Sequence, residues 1–211
     1  MKFIIRKLSA VIGLIAVLSV QAAPLPAPFT GPLTPQPDPV GGVPIASMSV
    51  PFSALTFGGT LVSTVWAGDL SNPFGPGALT FTYQLSNDAL SGDPIDRFTL
   101  SSYAGFLVDA SYQSTPPFGP VVIPSGVVRN LGGNQVSFDF EGLFAGTLVP
   151  GSSSPVLVLQ TDSTSYQNSI AGVINSSTVN VATFAPLAVP EPASAALVIL
   201  GAVALTLRRR Q

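Results

Sequence analysis

Apolar and polar residues alternate along much of this chain, with the period of two that is typical of β-strands. In residues 79–85 every odd-numbered position is Leu, Phe or Tyr, and every even-numbered position is Thr or Gln. In residues 136–141 the apolar positions are Val136, Phe138 and Phe140, and the positions between them are polar. Residues 156–159 are apolar without interruption, which predicts a strand that is buried on both faces.

Seven segments, one of which contains the run 156–159, also predict strands, because Gly, Pro, Asn and Asp residues separate them at short intervals. These segments are residues 49–57, 60–66, 95–101, 105–112, 120–129, 155–161 and 177–184. Many short strands with almost no helical periodicity favour an all-β domain, specifically an antiparallel β-sandwich of the Ig-like or jelly-roll kind. A closed barrel is the alternative.

The first residues have the pattern of a secretory signal peptide. Lys2, Arg6 and Lys7 form a positive region, residues 8–20 are apolar, and small residues follow. We expect signal peptidase to cleave after Ala22 or after Ala23. The protein is therefore predicted to be exported from the cytoplasm.

The last residues combine three features in a fixed order. Val189, Pro190, Glu191 and Pro192 come first, then a charge-free run over residues 193–207, then Arg208, Arg209 and Arg210. The prolines favour extended backbone before them, the apolar run suits a membrane helix of marginal length, and the arginines should stay cytoplasmic. A permanent membrane anchor is one interpretation of this tail.

Residues 187–211 resemble the PEP-CTERM sorting signal, the tag carried by substrates of bacterial exosortases. The resemblance implies that an exosortase-like membrane enzyme recognises and cuts the chain near Val189, Pro190, Glu191 and Pro192. It also implies a temporary stay in the inner membrane before release to the cell surface or extracellular matrix. Residues 59–113 are similar to passenger domains that often carry this tag and whose activity is uncharacterised.

The sequence thus predicts four parts: a signal peptide (1–22), a Pro-rich linker (23–44), a β-sandwich body (45–186) and a sorting segment (187–211). Eight prolines fall within residues 24–44. Such a segment prefers polyproline II, so we expect a semi-rigid tether.

Composition excludes several kinds of function. Six of the eight basic residues lie in the two terminal segments, so residues 23–190 hold nine acids and two bases, a net charge of −7 (2 − 9). An acidic surface repels nucleic acid, and we predict no such partner. The chain has neither Cys nor His, which removes disulfides, imidazole metal ligands and catalysis by Ser-His-Asp or Cys-His groups.

Two acidic groups are candidate sites. Asp139 and Glu141, two apart on one predicted strand, are the minimal arrangement for a glycosidase-type carboxylate pair, although a solvated strand face has the same pattern. Asn87, Asp88, Asp93 and Asp96 could give oxygen ligands to calcium, although these residue types also form turns without an ion.

Aromatic residues could stack on sugar rings, but core packing is the default for most of them. The candidates are Trp66, Tyr83, Tyr103, Tyr112 and Tyr166. We expect a non-enzymatic surface or matrix protein without cofactors. The alternatives are a carbohydrate-binding module that engages exopolysaccharide and a secreted hydrolase that uses carboxylates.

Overall fold

The structure, a computed structural model, describes residues 24–113, 121–141 and 146–188. The predicted cleavage residues Ala22 and Ala23 lie outside this part of the chain. So do the sorting motif Val189, Pro190, Glu191 and Pro192 and the basic cluster Arg208, Arg209 and Arg210. Within the three described ranges, no helix has the length and hydropathy needed to cross a bilayer.

The described chain is all-β and forms two six-stranded sheets. Its strands are β1 (Phe29–Gly31), β2 (Pro35–Gln36), β3 (Val43–Ser53), β4 (Gly58–Ala67), β5 (Thr80–Asn87), β6 (Arg97–Ser101), β7 (Val108–Gln113), β8 (Gly126–Arg129), β9 (Gln135–Asp139), β10 (Leu157–Thr161), β11 (Tyr166–Ile174) and β12 (Thr178–Pro186). Sheet A has the order β1-β8-β9-β6-β11-β12, and sheet B has the order β2-β7-β10-β5-β4-β3. Neighbouring strands are antiparallel except β2 and β7.

One hydrophobic core lies between the two sheets, as in a β-sandwich. The ring centroids of Tyr83 in sheet B and Phe98 in sheet A are 5.7 Å apart, and Phe98 stacks on Phe138. The predicted inward faces are confirmed, since Phe81, Phe138 and their alternating neighbours are buried. Two separate sheets rule out a single closed barrel for this part of the chain.

Strand β10 is buried along its whole length, as the uninterrupted apolar run at residues 156–159 predicts. It lies between β7 and β5. Its inward residues Leu157 and Leu159 join the core, whereas Gln160 points away from the core and is still only 2% exposed. Other chain segments therefore cover the outer face of sheet B.

Residues 24–44 are part of the sandwich, so the prediction of a separate Pro-rich linker is wrong. Leu25 lies in the core, and its amide donates to the Val108 carbonyl (2.7 Å). The segment then supplies β1 to the edge of sheet A and β2 to the edge of sheet B. An edge strand needs donors on one side only, so it tolerates prolines that a central strand would exclude. The body begins at residue 24 rather than 45.

Both ends of the described chain leave the sandwich at the same end. Leu25 is bonded to Val108, which is the cross-strand partner of Thr161. Two residues later, the Ser163 hydroxyl donates to the Leu187 carbonyl (3.3 Å), and the Leu187 amide donates to Ser165.

We call this end the terminal pole and the opposite end the distal pole. The terminal pole consists of residues 24–28, 68–79, 102–107, 130–134, 162–165 and 187–188. The distal pole consists of residues 54–57, 88–96, 121–125, 140–141, 146–156 and 175–177.

Candidate functional site

The outer face of sheet A carries a groove of about 550 Å³. Strands β6, β9, β11 and β12 form it, and eight of its eleven lining residues carry hydroxyl or amide side chains. The lining includes Thr99, Ser101, Ser102, Gln135, Asn168, Ser169, Thr178 and Asn180, with Ile170 and Ile174 as the apolar members. None of the lining residues is charged.

Gly172 forms the floor of this groove. It pairs with Asn180 on one side and with Thr99 on the other, so two longer side chains flank a position without one. A Cβ atom at Gly172 would lie in ordinary contact with the Thr178 methyl group, 3.7 Å away. The absence of a side chain at this position therefore shapes the groove.

Hydrogen bonds between neighbouring side chains order the groove wall. The hydroxyls of Thr99 and Ser137 are 2.9 Å apart across β6 and β9, and those of Ser102 and Ser169 are 3.4 Å apart. Ser102 has a φ of 76°, the one positive φ of a non-glycine residue in the described chain. Such a conformation costs free energy, and residues of this kind concentrate at functional sites.

One ion pair lies on the same strands as the groove, at their distal ends. Arg97 Nε is 2.5 Å from Asp139 Oδ1 across β6 and β9. The hydrogen bond to Asp139 raises the pKa of Arg97. The charges of Arg97 and Asp139 neutralise each other. The groove therefore offers only neutral hydrogen-bond donors and acceptors, which suits an uncharged polyhydroxylated ligand.

A buried polar network covers the outer face of sheet B. The carboxylate of Asp69 accepts hydrogen bonds from Thr80 (2.6 Å), Gln160 (3.0 Å) and the Val40 amide (2.8 Å). The Ser71 hydroxyl donates to it as well. Burial acts to raise the pKa of Asp69, but these hydrogen bonds outweigh it and the pKa is lowered.

Two further carboxylates lie beside this network. Burial raises the pKa of Asp38, against hydrogen bonds from Ser71 and Ser111. Burial also raises the pKa of Asp109 to about 6, with a smaller contribution from the nearby charge of Asp38. Asp69 and Asp38 hold the 38–42 and 68–72 segments on the sheet through these hydrogen bonds, and that role is structural.

Asp139 and Glu141, the predicted carboxylate pair, lie in different surroundings. Asp139 is the ion-pair partner of Arg97, and Glu141 lies beyond the end of β9 and is exposed. Glu141 lies near Asp96 instead. Burial, followed by the charge of Glu141, raises the pKa of Asp96. The hydrolase hypothesis stays a prediction, with one of its two carboxylates paired to a cation.

The four predicted calcium ligands do not converge on one point. The Asn87 side-chain amide donates to the carbonyls of Leu148 (2.9 Å) and Asp93 (3.0 Å). Asp88 and Asp93 line a cleft at the distal pole, and Asp96 is beside Glu141. Within the described ranges, no three acidic side chains lie close enough together to hold a metal ion.

The aromatic candidates do not form a stacking platform. Tyr83 and Tyr103 are buried, and their hydroxyls are 2.7 Å apart. Burial raises the pKa of both phenols. Trp66 donates from Nε1 to Thr82 (2.9 Å), Tyr112 is partly buried against the core, and Tyr166 packs edge-on against Phe184.

Sequence reasoning missed the groove because it missed β11, which supplies Asn168, Ser169, Ile170 and Gly172. The segment Tyr166–Ile174 begins with four polar or aromatic residues and contains a glycine, so its alternation is weak. The signal that could have identified it is the apolar run Ile170–Ala171–Gly172–Val173–Ile174, followed by a turn-forming Asn-Ser-Ser sequence.

Comparisons of the chain with protein-family models, with curated proteins and with solved structures found no match.

Proposed function

We propose that this protein is exported through the inner membrane, held there by its C-terminal segment and displayed at the cell surface or in the extracellular matrix. The sandwich has a structural or adhesive role and catalyses no reaction. Signal peptidase and an exosortase-like enzyme are its processing partners.

One structural observation supports this proposal above the others: both ends of the described chain leave through the terminal pole. Leu25 follows the predicted cleavage residues Ala22 and Ala23 closely, and Leu187 precedes the predicted sorting motif by two residues. During export, both hydrophobic segments would engage one membrane. A body whose two ends emerge together can accommodate this without unfolding.

The test is to define both termini of the mature protein by mass spectrometry after expression in the native host. We expect an N-terminus at Ala23 or Pro24 and a C-terminus near Pro190. Replacing Pro190, Glu191 and Pro192 with alanine should leave export intact and retain the full-length protein in the membrane fraction. An intact Gln211 on the wild-type protein would instead identify a permanent anchor, and retention in the cytoplasm would refute export.

Carbohydrate binding is the second candidate function, and the uncharged groove on sheet A favours it. Side-chain amides and hydroxyls hydrogen-bond to sugar hydroxyls, and Ile170, which is 57% exposed, offers apolar contact at the groove edge. The strand pairing also resembles that of a jelly roll, a fold that lectin domains use. Along the chain, the paired strands β6 and β9 lie between the paired strands β5 and β10. A neutral exopolysaccharide is the corresponding partner.

Gly172→Leu tests this second function. Its backbone is not in the left-handed region and a Cβ fits there, so the variant should fold normally and fill the groove. On a glycan array we expect selective binding by the wild-type protein and at least a tenfold loss in the variant, about the effect of blocking a pocket. Ser49→Leu, an exposed change on β3, is the control. Equal binding by all three proteins would reject the groove as a saccharide site.

A further inference from the structure

We propose that the terminal pole is a membrane-contact surface, with Leu70, Leu107 and Leu131 inserted into the headgroup region of a lipid bilayer. This inference rests on the proposed function, because it takes the apolar run 193–207 to lie in that bilayer. It adds the orientation of the sandwich: terminal pole on the lipid, distal pole toward the outside.

Leucines protrude from three separate loops of the terminal pole. Leu70, on the β4–β5 connection, is 82% exposed, and Leu131, at the tip of the β8–β9 hairpin, is 80% exposed. Leu107, on the β6–β7 connection, is 48% exposed. Single exposed leucines are unremarkable in water, but three of them lie at the one end of the domain from which the chain continues toward the apolar run 193–207.

The same pole is almost free of exposed charge. Among its described residues, Asp162 is the one charged side chain that is exposed, and it accepts a hydrogen bond from the Leu107 amide (3.0 Å). The distal pole holds four carboxylates: Asp88, Asp93, Asp96 and Glu141. Anionic lipids repel a carboxylate-rich surface and do not repel a neutral apolar one. The charge distribution therefore favours the terminal pole as the side that faces lipid.

The chain leaves little distance between this pole and the membrane. Leu187 is still hydrogen-bonded to Ser165, and only four residues, 189–192, separate Ala188 from the start of the apolar run. Four residues span at most about 14 Å when fully extended, which is about twice the thickness of the headgroup layer on one side of the bilayer, roughly 5–8 Å. The path of the chain therefore identifies a lipid bilayer as the partner of this surface.

The distal pole supplies matched controls. Leu90 is 99% exposed and Leu55 is 92% exposed, more than any leucine at the terminal pole. Both line the distal cleft together with Asp88 and Asp93. If exposure of leucine alone drove lipid contact, these two positions would bind as well.

The absence of cysteine in the sequence allows a direct experiment on the full chain. Single variants Leu70→Cys, Leu131→Cys, Leu55→Cys, Leu90→Cys and Leu200→Cys are labelled with a fluorophore. Each is then reconstituted into vesicles of phosphatidylethanolamine and phosphatidylglycerol that contain nitroxide-labelled lipid. The label at position 200 reports separately whether the tail is inserted.

We expect lipid-borne nitroxide to quench the labels at positions 70 and 131 about twofold or more relative to those at 55 and 90, with the order reversed for a water-soluble quencher. Equal quenching at the four body positions overturns the inference. If the four body labels are quenched equally but the label at 200 is quenched as well, the tail is inserted in the bilayer. The proposed membrane anchoring then stands, and only the proposed orientation fails. When the label at 200 is unquenched too, membrane anchoring fails as well.

Discussion

Arg129 shows how one buried side chain ties several segments together. Its guanidinium donates to the carbonyls of Leu25 (2.8 Å), Phe106 (2.7 Å) and Tyr103 (3.2 Å), and it contacts Gly133 as well. Burial lowers the pKa of Arg129. The charge is thus stabilised by oriented carbonyl dipoles, and the sequence alone gave no indication of this role.

Arg129→Met should lower the free energy of unfolding by about 2–4 kcal/mol, because several buried carbonyls lose their donor at once. Urea denaturation measures the effect. Arg97→Met is the control: its ion pair with Asp139 is partly exposed, and removing such a pair costs less than about 1 kcal/mol. A loss for Arg129→Met as small as that of the control would contradict the assigned role.

Asp109 makes stability depend on pH. Its pKa is about 6 in the fold and 3.8 for the unperturbed group, so between these values the folded state binds more protons than the unfolded state. The free energy of unfolding should therefore fall as pH rises from about 4 to about 6. Asp38, whose pKa is also raised, changes the free energy of unfolding in the same direction. Asp69, whose pKa is lowered, stabilises the fold while it is ionised, and this stabilisation is lost only at more acidic pH.

In Asp109→Asn the decline in unfolding free energy across this pH window should shrink by about 1 kcal/mol, a value discounted for partial exposure. Thermal unfolding followed by circular dichroism at several pH values gives the measurement. Asp88→Asn, which removes an exposed charge at the distal pole, should leave the wild-type slope unchanged. Parallel slopes for wild type and Asp109→Asn would show that another group is responsible.

At the scale of elements, the stability of variants in residues 24–44 distinguishes a free tether from a segment that is part of the sandwich. A tether can be altered without loss of stability, but Leu25 is 8% exposed and lies in the core. Leu25→Ala should therefore lower the free energy of unfolding by about 2–3 kcal/mol. Leu131→Ala, which truncates a leucine that is 80% exposed, should change it little in solution. An unchanged midpoint for Leu25→Ala in chemical denaturation would restore the tether.

The strands that could be predicted from sequence are those in which apolar and polar residues alternate, because one face packs in the core. Strands β5 and β9 are of this kind, and β10 was predicted from its uninterrupted apolar run. The edge strands β1 and β2 were not predictable in this way. Their three and two residues gain stability from pairing with β8 and β7, which are distant in sequence. Local propensity cannot report a stabilisation of that origin.

At the scale of the whole molecule, the sequence predicted two layers but not which outer face would be open. The outer residues of β5, such as Thr80 and Thr82, alternate with the core residues as a solvent-facing row would, yet both are buried. For Thr80 the reason is the network around Asp69, which holds segments 38–42 and 68–72 against sheet B. Thr82 instead accepts a hydrogen bond from the Trp66 indole (2.9 Å). Sheet A keeps its outer face open, and the groove lies there. Recognising β11 would have supplied one wall of the groove, but which outer face stays open depends on where the loops pack.

The arrangement of the whole molecule also bears on how the tail would be processed. Pro186 ends a buried strand, and the Leu187 amide is bonded to Ser165, so the predicted motif at Val189 to Pro192 begins two residues from a folded surface. If the proposed membrane enzyme cuts this motif, it would have to approach between the terminal pole and the lipid. Distance from the sandwich should therefore limit the rate of cleavage.

Inserting eight Gly and Ser residues between Ala188 and Val189 should speed release of the tail severalfold in the native host, since a linker of this length adds about 15 Å of reach. Pulse-chase labelling with separation of membrane and released fractions measures the rate. The same insertion between Ala89 and Leu90, in an exposed loop of the distal pole, is the matched control and should leave the rate unchanged. If the insertion before Val189 also has no effect, the folded body does not restrict access, and the cleavage point lies farther from the sandwich than the Pro-Glu-Pro sequence.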